Sequence, residues 1–233
     1  MSVKTCEWLE FSTRKALATA LADTVAQRLT AAIESRGGAL LAVSGGTTPA
    51  LFFETLSTRA IAWSKVTVML VDERFVPSSS PRSNAALVSE KLLRNKAAVA
   101  RFLPLYHPAQ NVAAAASRAE AELLGLDWPL DVVVLGMGTD GHTASFFPDA
   151  STLDLLLDPA SSQVVLPVDA VSAGEPRLTL SMPRLISAGF LALHIEGQEK
   201  RAVFEAAMEG NAVTPIRAVI EASPQPVKVF WAA

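Results

Sequence analysis

Cysteine is almost missing from this 233-residue chain, Cys6 being the only one. A single thiol excludes an intramolecular disulfide and a cysteine-ligated metal cluster, and suits a reducing compartment. Cys6 lies near the terminus and is read as inert. Histidine is scarce as well, limited to His107, His142 and His194, which are far apart in the sequence and argue against a soft-metal site. No uncharged apolar run reaches about 18 residues, the length that a bilayer-spanning helix needs. The opening MSVKTCEWLEFSTRK has neither the continuous apolar core nor the small-residue cleavage site of a signal peptide. Positive charge is dispersed: no basic run exceeds a residue pair and the net charge is −3, which argues against a phosphate-backbone surface for nucleic acid. The expectation is a cytoplasmic protein that holds any anionic ligand by a local arrangement of groups.

What is plentiful is apolar surface. Half of the residues are hydrophobic, enough for one sizeable core, and residues 1–233 are read as a single domain. Between Ser12 and Arg36, the residues Leu17, Leu21, Val25, Leu29 and Ile33 recur every fourth position and Gly37-Gly38 follow, which predicts an amphipathic helix. Ala39–Val43 predicts a strand, Ser44-Gly45-Gly46-Thr47-Thr48-Pro49 a tight loop, and Leu51, Phe52, Thr55 and Leu56 the next helix. Further strand-like runs fall at 66–71, 131–135, 164–168, 177–180, 190–195 and 227–231, and an alanine-rich helix is expected over 113–121. Apolar strands without strict alternation, interleaved with helices, predict an α/β fold with a mostly parallel sheet covered on both faces.

Ligands of such sheets gather beyond the carboxyl ends of the strands, and three loops are candidates. In the first, Gly45 and Gly46 permit close backbone approach, with Thr48 as the expected N-cap and Pro49 in the first helical turn, a suitable anion cradle. It lacks the lysine of a P-loop. The second is Val71-Asp72-Glu73-Arg74-Phe75, followed by the serine-rich loop Pro77–Pro81 and by Asn84, which could serve as an N-cap or as a ligand group. The third, Gly136-Met137-Gly138-Thr139-Asp140-Gly141, spells G-x-G-x-x-G after an apolar strand. A dinucleotide fingerprint must lead into a full helix, whereas Phe146-Phe147-Pro148 interrupt one here. The alternative is a tight loop that presents Asp140 and His142, with the carboxylate orienting an imidazole that can exchange a proton with water. His107 in a Tyr-His-Pro loop and His194 inside an apolar strand are read as structural.

Taken together, SGGTTP (44–49), VDERFVP with Asn84, and GMGTDGHTASFFP (136–148) resemble the 6-phosphogluconolactonases, with PRLTLS (176–181) and EGQEK (196–200) following in order. The resemblance implies a modified Rossmann-type three-layer sandwich and the hydrolysis of 6-phospho-D-glucono-1,5-lactone in the oxidative pentose phosphate pathway. It also implies similarity to the glucosamine-6-phosphate deaminases, but those typically read D-E-Y where Arg74 stands and carry a glutamate where Phe147 stands. His142 and Asp140 are the implied catalytic pair. The phosphate is expected against Ser44, Gly45, Gly46 and Thr47, with Lys200 and Arg177 as candidate cations. Asp72 and Asn84 are expected on sugar hydroxyls, and Arg74 with the amides of the 136–141 loop, Gly138 among them, on the developing oxyanion. No cofactor is implied and no metal is required, although Asp72, Glu73, Asp140 and His142 could gather an adventitious divalent ion. The expected partner is a small phosphorylated sugar lactone, without nucleic acid or membrane, for a monomer or small homo-oligomer. A non-catalytic sugar-phosphate sensor on the same scaffold is the reading from another class.

Overall fold

In the computed structural model, residues 6–210 and 214–233 are described. The strands are β1 (Cys6–Phe11), β2 (Ala39–Val43), β3 (Val66–Leu70), β4 (Asp72–Arg74), β5 (Arg101–Leu103), β6 (Val132–Leu135), β7 (Val165–Val168), β8 (Arg177–Leu180), β9 (Phe190–Glu196) and β10 (Val227–Ala232). The helices are α1 (Arg14–Arg36), α2 (Ala50–Ser57), α3 (Asn84–Lys91), α4 (Val112–Leu123), α5 (Leu153–Leu156), α6 (Met182–Ile186), α7 (Gln198–Glu209) and α8 (Pro215–Ala222). Seven strands form one sheet in the order β1-β10-β9-β6-β2-β3-β5, every pairing parallel.

Every residue of β2 and β6 is buried, as are the first six of β9. Since successive side chains point to opposite faces, this burial requires cover on both sides of the sheet. Helix α1 supplies part of that cover through the predicted stripe, with Leu17, Leu21, Val25 and Leu29 fully buried. Thr13 starts it by accepting the Ala16 N–H at 3.1 Å, and the Gly37 N–H returns to the Ile33 carbonyl at 2.9 Å. The architecture is α/β, a parallel sheet flanked by helices, as the apolar runs predict.

Two features depart from the sequence reading. The runs at 164–168 and 177–180 belong not to the parallel sheet but to a separate antiparallel one of order β4-β8-β7. Their partner β4 is only three residues long and polar, which hides it from any hydrophobic pattern. The main sheet also contains two strands outside the expected runs, β5 at one edge and β1 at the other. There β1 pairs with β10 from Cys6↔Val227 to Phe11↔Ala232, and Phe11 stacks on Phe230 with ring centroids 5.8 Å apart. Burial pushes the Cys6 thiol up, away from the reactive thiolate form.

Leu29→Ala removes a fully buried side chain between α1 and the sheet, and is expected to cost about 2–5 kcal/mol of stability in urea denaturation. An unchanged midpoint would show that the stripe is not what fixes α1.

Candidate active site

Parallel strands all empty toward the same edge. The register places Val43 beside Leu70 and Val134, and Leu135 beside Leu193, so the segments after β2, β3, β6 and β9 meet there. They enclose a cleft lined by Ser44 to Pro49, Asp72, Arg74, Asn84, residues 134–138, His142, Arg177, His194 and Lys200, among others. Eleven of the twelve site residues expected from sequence line it. The twelfth, Asp140, is bonded to a lining residue.

The first loop leaves β2 with the Ser44 Oγ accepting the Gly136 N–H at 2.9 Å, which ties it to the third loop. A Cβ on Gly45 would lie 1.9 Å from the Asn84 Oδ1, so only glycine lets the two segments touch. The cap differs from the expected one: Pro49, not Thr48, occupies the N-cap of α2 and no side chain bonds the first turn. The first-turn N–H groups therefore remain open to an anion. The Thr48 hydroxyl instead stands 3.5 Å from the Lys200 Nζ. Burial lowers the Lys200 pKa, opposed by the charges of Glu196 and Glu199.

The second loop divides its acids between two duties. Glu73 is fully buried; its Oε1 accepts the N–H groups of Arg74 (2.8 Å) and Asn84 (2.7 Å), its Oε2 the Ala85 N–H (2.7 Å) and the Ser83 hydroxyl (3.0 Å). Burial pushes its pKa up while the bonds from Asn84, Ala85, Arg74 and Ser83 pull it down. With both oxygens occupied, Glu73 is an anchor for the start of α3 rather than a ligand group. Ser83 is the N-cap of that helix and Asn84 its first residue, so the N-cap alternative for Asn84 does not hold. Asn84 donates its Nδ2 to the Asp72 carbonyl at 2.9 Å. Asp72 faces the cleft, with its Oδ2 accepting the Ser145 hydroxyl at 2.7 Å.

The third loop folds back on itself instead of entering a helix. The Gly138 N–H donates to the His142 carbonyl at 2.9 Å and the Gly141 N–H to the Gly138 carbonyl at 3.1 Å. A Cβ on Gly138 would sit 2.2 Å from the His142 Cε1 and 2.7 Å from the Asp140 Oδ1, so the fold-back requires glycine there. The next helix, α5, is four residues long and begins only at Leu153, which is incompatible with a dinucleotide fingerprint. The His142 Nδ1 is 2.5 Å from the Asp140 Oδ1. That bond assigns the Nδ1 proton toward the carboxylate and leaves Nε2 for the cleft.

Two supporting residues carry no signal in the sequence beyond their place in a motif. The Phe147 ring lies under His142 at 4.3 Å between centroids and under the Arg177 guanidinium at 5.4 Å, forming a shared apolar bed. Ser145 joins the third loop to Asp72. Arg177 lines the cleft, while Arg184, seven residues on, packs on Trp128 at 4.8 Å and does not line it. Arg177 and Arg74 each keep a buried Nε without a partner. Among the described residues, no group of three His, Cys, Asp or Glu side chains is placed to hold a metal ion. None of the described helices is long and apolar enough to cross a membrane.

The parallel order of the sheet and the converging loops are those of an α/β fold that binds at its strand ends. The chain belongs to the family described as glucosamine-6-phosphate isomerases/6-phosphogluconolactonase, whose model matches residues 12–231. A 6-phosphogluconolactonase of Mesorhizobium japonicum is 63% identical over 225 residues, covering 97% of this chain and 94% of the relative. Its counterpart in Rhizobium meliloti is 53% identical over 224 residues, covering 95% and 97%. The crystal structure of a 6-phosphogluconolactonase from Shewanella baltica superposes with a TM-score of 0.95 at 39% identity, covering 99% of each chain.

Glu73→Gln turns one of the buried acceptors into a donor that faces other donors, and is expected to cost about 1–3 kcal/mol in chemical denaturation. Wild-type stability in that variant would mean that α3 does not depend on the carboxylate.

Proposed function

We infer that this chain hydrolyses 6-phospho-D-glucono-1,5-lactone to 6-phospho-D-gluconate, with His142 as general base. The observation that carries this reading is the 2.5 Å bond between Asp140 and His142 on the rim of a cleft whose other loop is an uncapped helix start beside Lys200. The family and its lactonase relatives support the same reading.

The chemistry needs a water proton removed as the oxygen attacks the carbonyl carbon. His142 takes that proton at Nε2, and Asp140 favours the resulting imidazolium through Nδ1. The ring C–O bond then breaks, and the imidazolium returns its proton to the departing ring oxygen. Acid, base and water suffice, and no covalent intermediate forms.

Charge on the carbonyl oxygen must be met by donors already in place. The N–H groups of Gly136, Gly138 and Gly141 are spent on Ser44, His142 and Gly138 respectively. Arg74, whose buried Nε has no partner, is therefore the stronger candidate for the oxyanion. The phosphate lies against Gly45, Gly46 and Thr47 with Lys200, leaving Asp72 for a sugar hydroxyl. Phe147 bears on the choice between sibling activities, since a ring in that position supplies no second carboxylate for work on an amino sugar.

The experiment is hydrolysis of the lactone, generated in situ and corrected for its spontaneous opening, with wild type beside His142→Ala. The variant is expected to lose about 10²- to 10⁴-fold in kcat, the usual scale for general acid–base catalysis. Full turnover in His142→Ala would remove it as the base. No acceleration by wild type, with ammonia released from glucosamine 6-phosphate, would favour the deaminase instead; binding without turnover would favour a sensor.

Lys200→Ala is expected to raise KM with little change in kcat, because phosphate binding is shared by ground and transition states. Burial lowers the Lys200 pKa, so the ammonium is charged at low pH and loses its proton, as pH rises, earlier than an exposed lysine does. The wild-type KM should accordingly climb on the alkaline side, and that climb should vanish in Lys200→Ala. A KM indifferent to both the substitution and alkaline pH would take Lys200 out of the phosphate site.

A further inference from the structure

His194, in the interior of a central strand, has the sequence context of a core residue, yet its surroundings are not those of a core residue. It is 3% exposed, lies on β9 and forms part of the cleft wall. Its Nε2 is 3.1 Å from the Glu196 Oε1, and the other oxygen of Glu196 is 3.4 Å from the Arg14 Nε. The edge of Phe52 packs against the imidazole at 6.1 Å between centroids. The ring is thus fixed from two sides, while its Nδ1 is buried without any partner.

A buried polar nitrogen left unpaired is costly, and pure packing at this position would be served by another aliphatic residue like its strand neighbours Leu193 and Ile195. The residue that carries this unpaired nitrogen lines the same cleft as Thr48 and Lys200. Glu196 connects them: it bonds His194 directly, and its charge also acts on the Lys200 ammonium. An imidazolium carries an N–H on each side. With one directed at a carboxylate, the other is available to a phosphoryl oxygen.

We propose that His194 is a second imidazole of the substrate site, seated on Glu196 and donating from Nδ1 to the phosphate that Lys200 and the 45–48 loop also hold. This rests on the sugar-phosphate reading above. His194 is a binding residue at the end away from the reacting carbonyl, and Glu196 is a positioning residue that acts through it.

The test uses the full chain with His194→Ala, His194→Gln and Glu196→Gln, each checked for folding by circular dichroism and thermal melting. Turnover of the phosphorylated lactone gives kcat and KM, and titrations followed by 31P NMR give the affinity for 6-phosphogluconate and for inorganic phosphate. His194→Ala and His194→Gln are expected to raise KM and weaken both ligands by roughly 10- to 100-fold, the scale of a charge-assisted hydrogen bond, with kcat little changed. Glu196→Gln should move the same quantities in the same direction by less. A folded His194 variant with wild-type KM and phosphate affinity would overturn the proposal, as would a loss confined to kcat. Failure of all three variants to fold would also overturn it, by making the pair a core contact. Should wild type show no lactone turnover, the substrate reading fails by itself, and the inorganic phosphate titrations still decide the role of His194.

Discussion

Cover on both faces of the parallel sheet is the constraint from which the rest of this structure follows. Strands β2, β6 and β9 bury side chains in both directions, so each must be reached and left by a chain that crosses over a helix, and every crossover delivers its loop to the same edge. The loops that meet there come from well-separated parts of the chain, and directed polar bonds join them. Ser44 ties the first loop to the third, Asn84 the second to its own strand end, and Ser145 the third to Asp72. The core supplies rigidity, and a small set of directed bonds converts it into a shaped edge.

Glu73 shows how polar groups at that edge are partitioned. Glu73 accepts three bonds from the turn into α3 and one from the Arg74 N–H, while its neighbour Asp72 faces the cleft. Two adjacent carboxylates thereby take unlike positions set by strand alternation: one points into the scaffold and the other toward the cleft. The same division holds along β9, where Leu193 and Ile195 are apolar and His194 and Glu196 share the other face.

Much of this was legible in the sequence, for reasons that differ by element. The fourfold stripe of α1 and the apolar runs of β2, β3, β6, β9 and β10 are direct images of burial, and burial is what periodicity records. Strands β1, β4 and β5 were not legible: β1 is an edge strand carrying Glu7 and Glu10, β5 is an edge strand of three residues, and β4 is Asp-Glu-Arg, whose pairing with β8 is a tertiary event. For the same reason 164–168 and 177–180 read as members of the wrong sheet. The site motifs located the cleft because glycines and short polar runs mark close approach, as Gly45 and Gly138 both do. The choice of Pro49 over Thr48 as cap, the occupation of the loop amides and the place of His194 in the cleft wall depend on contacts across the fold, which spacing along one chain does not encode.

Phe147 carries a consequence for charge. A guanidinium usually obtains its desolvated stabilisation from a carboxylate, which cancels its field. Arg177 instead rests on the face of an aromatic ring, whose quadrupole attracts the cation and leaves its monopole intact. A chain of net charge −3 can in this way keep a cation that no direct ion pair cancels, with Asp72, Glu175 and Glu73 acting on it only through space, so that an anion senses it chiefly at close range.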